Sequence, residues 1–371
     1  MEYQELVNWI RLINSNGVGP ITFYKLMEKY QNAESALKQI SEHKTFSDYD
    51  AKQEIEKAYK NGIKIISIKD KEYPDNLKEL EDAPPLLYTK GMLSLLNHPV
   101  GVAVVGARNA DVSSRKIASR IANDLTNSDV LIISGMARGI DSAAHKGAMY
   151  AKDQTGPTVA VLGTGVDVPY PQENIELYEQ ICEQGLVVSE YLLGTPPHTS
   201  NFPRRNRLVS ALSSAVLVVE ANLNSGSLIT ARLGLEQGKD VFAVPSSPIY
   251  GRSSGTNRLI KEGAVLTESA DDILDVLRYT QNFKIKKFED KNLSLSLNVL
   301  DKAKKSDNIP IKTKSVDLQN IISLIPPAGI DIDELIRLTG GDTYKVMAQI
   351  TELEIDDIVE RKNTNTLILK H

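Results

Sequence analysis

Seven continuous apolar runs between residues 100 and 267 constrain the fold more than any other feature. They are VGVAVVG (100–106), DVLIISG (129–135), TVAVLG (158–163), LVVSE (186–190), AVLVVEA (215–221), DVFAVP (240–245) and AVLT (264–267). The apolar residues are consecutive rather than alternating, so both faces of the resulting sheet must be covered, which is the signature of parallel strands. The intervening segments are long enough for crossover helices, and a strand–helix alternation of this kind builds an α/β fold. Residues 61–280 are therefore predicted to form an extended Rossmann-like domain, with a doubly wound parallel sheet and a binding crevice at the carboxyl ends of its strands.

The flanks differ in character. Residues 1–60 are predicted to be short helices, with Leu6, Val7, Ile10 and Ile13 at helical spacing and Trp9 packing among them. The stretch NGVGPIT (16–22) places a Gly-x-Gly turn before a proline-started helix, a pattern similar to a SAM or helix-hairpin-helix domain. Residues 62–99 contain one predicted strand, GIKIISI, and a proline-rich crossing. Residues 281–314 hold 9 Lys and 4 acids, a composition suited to a linker. Residues 315–371 are predicted to be a winged helix, with helices at 318–325, 331–339 and 342–353 and a terminal hairpin turning at Asn363 to Asn365.

Chemistry concentrates in the turns that follow the strands. FPRRNR (202–207) packs Phe202, Arg204, Arg205, Asn206 and Arg207 into six residues on the crevice side. Guanidinium forks match phosphate geometry, and an aromatic face beside them can stack on a base. The first strand ends GARNA, where Gly106 permits a tight turn and Arg108 projects; it lacks the G-x-G-x-x-G of a dinucleotide site. The second runs into SGMARGID, with Arg138 beside Gly139 and Asp141 placed to cap the next helix, and the fifth into NSGS, with Ser225, Gly226 and Ser227 at a helix start. No nucleophile elbow and no H-E-x-x-H occur, the five histidines show no ligand spacing, and His145 reads as structural. No catalytic residue, metal site or cofactor is expected, and the acids Asp141, Asp167, Glu190 and Glu220 are expected to pair with Arg108, Arg138 and Arg205. The single cysteine, Cys182, excludes an internal disulfide. No apolar run approaches membrane-spanning length and the first residues resemble no signal peptide, so the cytoplasm is expected. The net charge is -5, yet residues 315–371 carry 5 Lys/Arg against 10 Asp/Glu, so the remainder is neutral and leaves room for a local basic groove.

The ordered motifs VVGAR, SGMARGIDSAAH, VAVLGTGVDVPYPQEN, SEYLLGTPP, FPRRNRLVSALS, VVEA, SGSLITA, GKDVFAVP and GTNRLIKEGA closely resemble the DNA-processing protein A family (DprA, also called Smf). The resemblance implies a single-stranded-DNA-binding protein without enzymatic activity that protects incoming strands in natural transformation, helps load the RecA recombinase, and works as a dimer. It implies DNA-pocket roles for Arg108 and for Phe202, with Arg204, Arg205 and Arg207 in the same motif. The sequence departs from the family where lysines are frequent, having Gln172 and Thr199 instead. The competing enzyme reading, a nucleotide phosphoribohydrolase, needs a glutamate-bearing P-G-G-x-G-T loop. Residues 224–228, Asn-Ser-Gly-Ser-Leu, do not supply it.

Overall fold

The computed structural model describes residues 1–151, 158–247, 254–281, 324–325, 330–339, 343–355, 358–363 and 366–369. The chain divides into two compact units, Met1–Glu289 and Asp290–His371.

The first unit opens with four helices: α1 (Tyr3–Ile13), α2 (Pro20–Tyr30), α3 (Ala33–Leu37) and α4 (Asp48–Lys60). Local chemistry fixes their starts. Pro20 occupies the first turn of α2, the Asn32 side chain accepts the Ser35 N–H at 2.8 Å, and Ser47 Oγ accepts the Asp50 N–H at 3.0 Å. Trp9 packs edge-on against Phe23 with ring centroids 5.0 Å apart, and Val7, Ile10 and Leu12 are buried beside them. This helical core continues onto the sheet through Leu86, and Tyr24 Oη donates to the Ala83 carbonyl at 3.1 Å.

The sheet has nine strands: β1 (Lys64–Ser67), β2 (Leu86–Gly91), β3 (Gly101–Val105), β4 (Leu131–Ser134), β5 (Thr158–Val161), β6 (Leu186–Ser189), β7 (Ala215–Val218), β8 (Asp240–Ala243) and β9 (Val265–Leu266). Their spatial order is β1-β2-β6-β5-β4-β3-β7-β8-β9. From β6 to β9 all neighbours are parallel, as the continuous apolar runs require, whereas β1–β2 and β2–β6 are antiparallel. Strand β2 corrects the reading of residues 62–99 as containing one strand. Pro84 and Pro85 precede it and mask it in the sequence, but both stand before the ladder, which begins at Leu86, and so remove no ladder hydrogen bond.

The helices between and after these strands are α5 (Asp75–Lys78), α6 (Val112–Asn127), α7 (Ile140–Met149), α8 (Ile175–Gln184), α9 (Asn201–Leu212), α10 (Ser227–Glu236), α11 (Ser254–Lys261) and α12 (Ala270–Gln281). Alternate residues of β3 serve opposite faces. Ala103 and Val105 join Leu208 and Val209 of α9 and Ala231 of α10, while Val102 and Val104 join the apolar sides of α6, α7 and α12. After β3 the chain adds strands first on one side and then on the other, so the winding reverses between β3 and β7. In a doubly wound sheet, that switch point is where the strand ends splay and leave a crevice.

The second unit contains β10 (Ile330–Asp331), α13 (Ile332–Thr339), α14 (Thr343–Ile355), β11 (Val359–Asn363) and β12 (Thr366–Leu369), with β12 central in an antiparallel three-stranded sheet. Its own core holds Leu335, Ile350, Leu353 and Leu367. This arrangement is a winged helix. Of the linker expected at 281–314, Gln281 closes α12; the rest of it, most of the helix expected at 318–325 and the hairpin tip at 364–365 lie outside the described residues.

Candidate nucleic-acid interface

The crevice at the switch point is a cavity of about 730 Å³. Its walls come from the turn after β3 (Gly106, Arg108), the turn after β7 (Ser225, Gly226, Ser227) and the first turns of α9 (Phe202, Arg205, Asn206). A second cavity of about 350 Å³ adjoins it, sharing Arg108, Phe202, Arg205 and Tyr170 and adding Arg138. The sequence-predicted residues Arg204 and Arg207 line neither cavity.

The reason is helical phase. FPRRNR is not a turn but the opening of the twelve-residue helix α9, with Pro203 tolerated because it falls in the first turn. Positions 202, 205 and 206 stand at i, i+3 and i+4 and so share one side, which faces the cavity. Arg204 points outward and is exposed. Arg207 points into the protein, where Nε meets Asp82 at 3.0 Å and Nη2 donates to Glu190 at 2.5 Å. Burial pushes the Glu190 carboxyl up, and the Arg207 and Arg204 charges pull it back. Arg207 is therefore a buried strut beneath α9 and is not placed to reach a ligand in the crevice.

Arg205 borders the cavity but is committed to the framework. Its guanidinium is buried, and Nη1 donates to the carbonyls of Gly135, at 2.5 Å, and of Val161. It thereby ties together the ends of β4 and β5. Burial pushes its pKa down, while the nearby Asp141 carboxylate supports its charge. A Cβ on residue 135 would lie 2.1 Å from Nη1, so only glycine leaves room for the guanidinium. Asp141 does not cap the first turn of α7 in the expected way. Its Oδ2 accepts the N–H groups of Gly135 and Ala137, at 3.2 and 3.3 Å, and fastens the turn that precedes the helix. Desolvation pushes the Asp141 pKa up, and the Arg205 charge opposes that push.

Arg108 is different. It is exposed, makes no ion pair among the described residues, and its guanidinium carbon lies 5.3 Å from the Phe202 ring centroid. Tyr170 lies on the same ring, with centroids 5.6 Å apart and planes 32° apart. A cation, a central phenyl and an exposed tyrosine thus form one ridge between the two cavities. Sequence reasoning missed Tyr170, although its place inside the motif VAVLGTGVDVPYPQEN was a usable signal. Arg138 pairs with Glu173 at 3.3 Å, both side chains about half exposed at 52% and 53%. At the far wall, Ser225 and Ser227 hydroxyls are 2.8 Å apart, and no side chain caps the N-terminus of α10. Exposed N–H groups at a helix start attract anions. Thr199 lines the first cavity and Gln172 the second, so both departures from the lysine-bearing pattern fall at this site.

His145, expected to be structural, is buried in α7 with Nδ1 2.7 Å from Thr158 Oγ1, and desolvation pushes it down to about 3. Glu220 is buried beneath the first cavity and accepts the Asp111 N–H at 3.2 Å. No group of three or more metal-ligating side chains occurs among the described residues.

The model of the family "DNA recombination-mediator protein A" matches residues 64–278, more than half of the chain. The chain belongs to the DNA recombination-mediator protein A family. Two further models of DprA proteins match its flanks, an N-terminal HHH domain over residues 3–54 and a winged helix domain over 308–363. The DNA processing protein DprA of Streptococcus pneumoniae is 46% identical over 209 residues, covering 56% of this chain and 72% of that protein. Protein Smf of Synechocystis is 30% identical over 98% of each chain. Among solved structures, DprA from Streptococcus pneumoniae superposes with a TM-score of 0.63 at 34% identity, covering 72% of this chain and 97% of the other. DprA from Helicobacter pylori, described for its single-stranded DNA binding mode, gives 0.53 at 30% identity, covering 59% and 97%. As a member of the recombination-mediator protein A family, the chain is a DNA-processing protein.

Proposed function

We propose that the crevice at the β3–β7 switch point binds single-stranded DNA and that the chain acts by binding rather than by catalysis. The observation that carries this reading is the ridge of Arg108, Phe202 and Tyr170, with 5.3 and 5.6 Å between successive groups. A duplex offers no free base face to such a ridge, whereas a single strand presents bases for stacking and phosphates for the guanidinium. Arg108 takes a phosphate, Phe202 and Tyr170 take bases, and the serine-lined start of α10 takes a second phosphate. The Arg138–Glu173 pair is exposed and therefore weak, on the order of 0–1 kcal/mol, so a phosphate can displace the glutamate. Arg205 and Asn206 complete the wall, the first chiefly by holding it in shape. In the cell this binding would serve natural transformation and recombination in the cytoplasm, with the chain as a homodimer that protects incoming strands and passes them to the RecA recombinase.

The roles are separable by salt. Arg108→Ala should lower the slope of log affinity against log salt by about 0.7, the value for one phosphate contact on a single strand. Phe202→Ala should weaken binding by roughly 1–3 kcal/mol with the slope unchanged, because stacking is not ionic. Fluorescence anisotropy of a labelled single-stranded oligonucleotide across a salt series measures both, and identical salt profiles for the two variants would overturn the division of roles.

A further inference from the structure

Helices α6 and α7 lie side by side on one face of the sheet. A Cβ on Gly147 would stand 2.1 Å from the Ser119 carbonyl oxygen, and Asn123 Nδ2 donates to the Gly147 carbonyl at 3.1 Å. Both helices start at the crevice, α6 just after the Arg108 turn and α7 just after the Arg138 turn. Their solvent sides are basic: Arg115, Lys116 and Arg120 are exposed on α6, Lys146 is exposed on α7, and Tyr150, which follows the last residue of α7, is 79% exposed. The acids of the two helices stand at their ends: Asp141 is buried in the first turn of α7 and Asp124 is exposed in the last turn of α6, while 112–123 and 142–151 hold none. The helices on either side carry the opposite sign. Next to α7, α8 exposes Glu176, Glu179 and Glu183 and holds no basic residue. Next to α6, α12 opens with Asp271 and Asp272.

Lys116 and Lys146 make no ion pair among the described residues, and Arg115 and Arg120 reach only backbone carbonyls, of Asp111 and Glu268, each at 3.4 Å. Between Asp111, which caps α6, and Asp124 in its last turn, Arg115, Lys116 and Arg120 repel one another and Lys146 across the helix pair, and the arrangement is relieved when a polyanion neutralises them. At the helical rise, Arg120 lies about 12 Å along α6 from its start, so the cations extend well away from the crevice mouth. We infer that the α6–α7 face is a second binding surface, which carries the phosphate backbone of single-stranded DNA beyond the crevice, with Tyr150 offering a ring to a base. The acidic flanks of α8 and α12 confine the strand to this lane. The inference rests on the crevice reading and extends it from one pocket to a path.

The test compares the wild-type chain with K116E/K146E on two single-stranded oligonucleotides, one of about 6 nucleotides that fills only the crevice and one of about 30 that also spans the lane. The long strand should bind the variant about tenfold more weakly at low salt, with a salt slope lower by about 1.4 for two lost contacts. The short strand should bind both proteins equally, which also certifies that the variant is folded. K116R/K146R should restore the long-strand slope. Equal affinity and equal slope for the long strand would overturn the lane while leaving the crevice intact. A wild-type chain that binds neither oligonucleotide would overturn both.

Discussion

Replacing Arg205 by alanine should unfold the protein more than it should weaken DNA contacts. Arg205 is 4% exposed, and its Nη1 holds the Gly135 and Val161 carbonyls at the ends of two strands. Its removal leaves those two acceptors unpaired in a buried site, at about 1–3 kcal/mol each. It also leaves Asp141 without the largest of the contributions that offset its burial, the others being the Ala137 and Gly135 N–H groups and the Arg108 charge. Breaking a buried charge arrangement by deleting one member typically costs about 3–5 kcal/mol, and the two routes agree on that range. Total stabilities of about 5–15 kcal/mol make such a loss severe. The neighbouring Arg204→Ala is the control, since an exposed side chain should change stability by about 0.5 kcal/mol or less. Urea unfolding of the full chain at neutral pH, followed by far-ultraviolet circular dichroism, measures both variants. An Arg205→Ala protein within about 1 kcal/mol of wild type that has lost single-strand binding would refute the reasoning and make Arg205 a ligand contact.

Two further outcomes are expected. His145 is held down to about 3 against an ordinary 6.5, so the unfolded chain takes up a proton that the folded chain refuses. Stability from this group is whole above pH 6.5 and is lost as pH falls from 6.5 towards 3, with a slope on the order of 1 kcal/mol per pH unit. Comparing urea midpoints at pH 7 and pH 5.5 for wild type and His145→Asn checks this, and equal shifts in the two proteins would exclude His145 as the cause. Deleting residues 315–371 removes 10 acids against 5 basic residues. Single-strand affinity should then stay level or rise slightly, and a clear loss in a truncated protein that remains folded would make the winged helix part of the DNA site.

The sequence disclosed the sheet because burial on both faces leaves a plain mark, the continuous apolar run. It concealed β2, whose flanking prolines imitate a loop. It disclosed that FPRRNR belongs at the crevice but not which of its arginines face the ligand, because that depends on the phase of a helix whose third residue is proline. With α9 in place, one rule sorts the motif: Phe202, Arg205 and Asn206 share the cavity side, Arg204 faces water and Arg207 faces Glu190 and Asp82. Charge alone could not separate Arg205 from Arg108, since burial decides which guanidinium is framework and which is free. Tyr170 went unnoticed because its contact with Phe202 joins residues 32 positions apart, from 170 to 202, through the ends of different strands. The N-terminal helices were legible from apolar spacing, and Trp9 packs as that spacing suggested; of the C-terminal helices, those expected at 331–339 and 342–353 are present among the described residues.

The central claim is that the crevice reads unpaired bases. It is tested most directly by competing unlabelled single-stranded and duplex oligonucleotides of equal length and composition against a labelled single strand, at moderate salt. Single strands should displace the probe at much lower concentration than duplex, and that preference should shrink in Phe202→Ala, which removes the central ring of the ridge. Equal competition by the two forms would contradict the account.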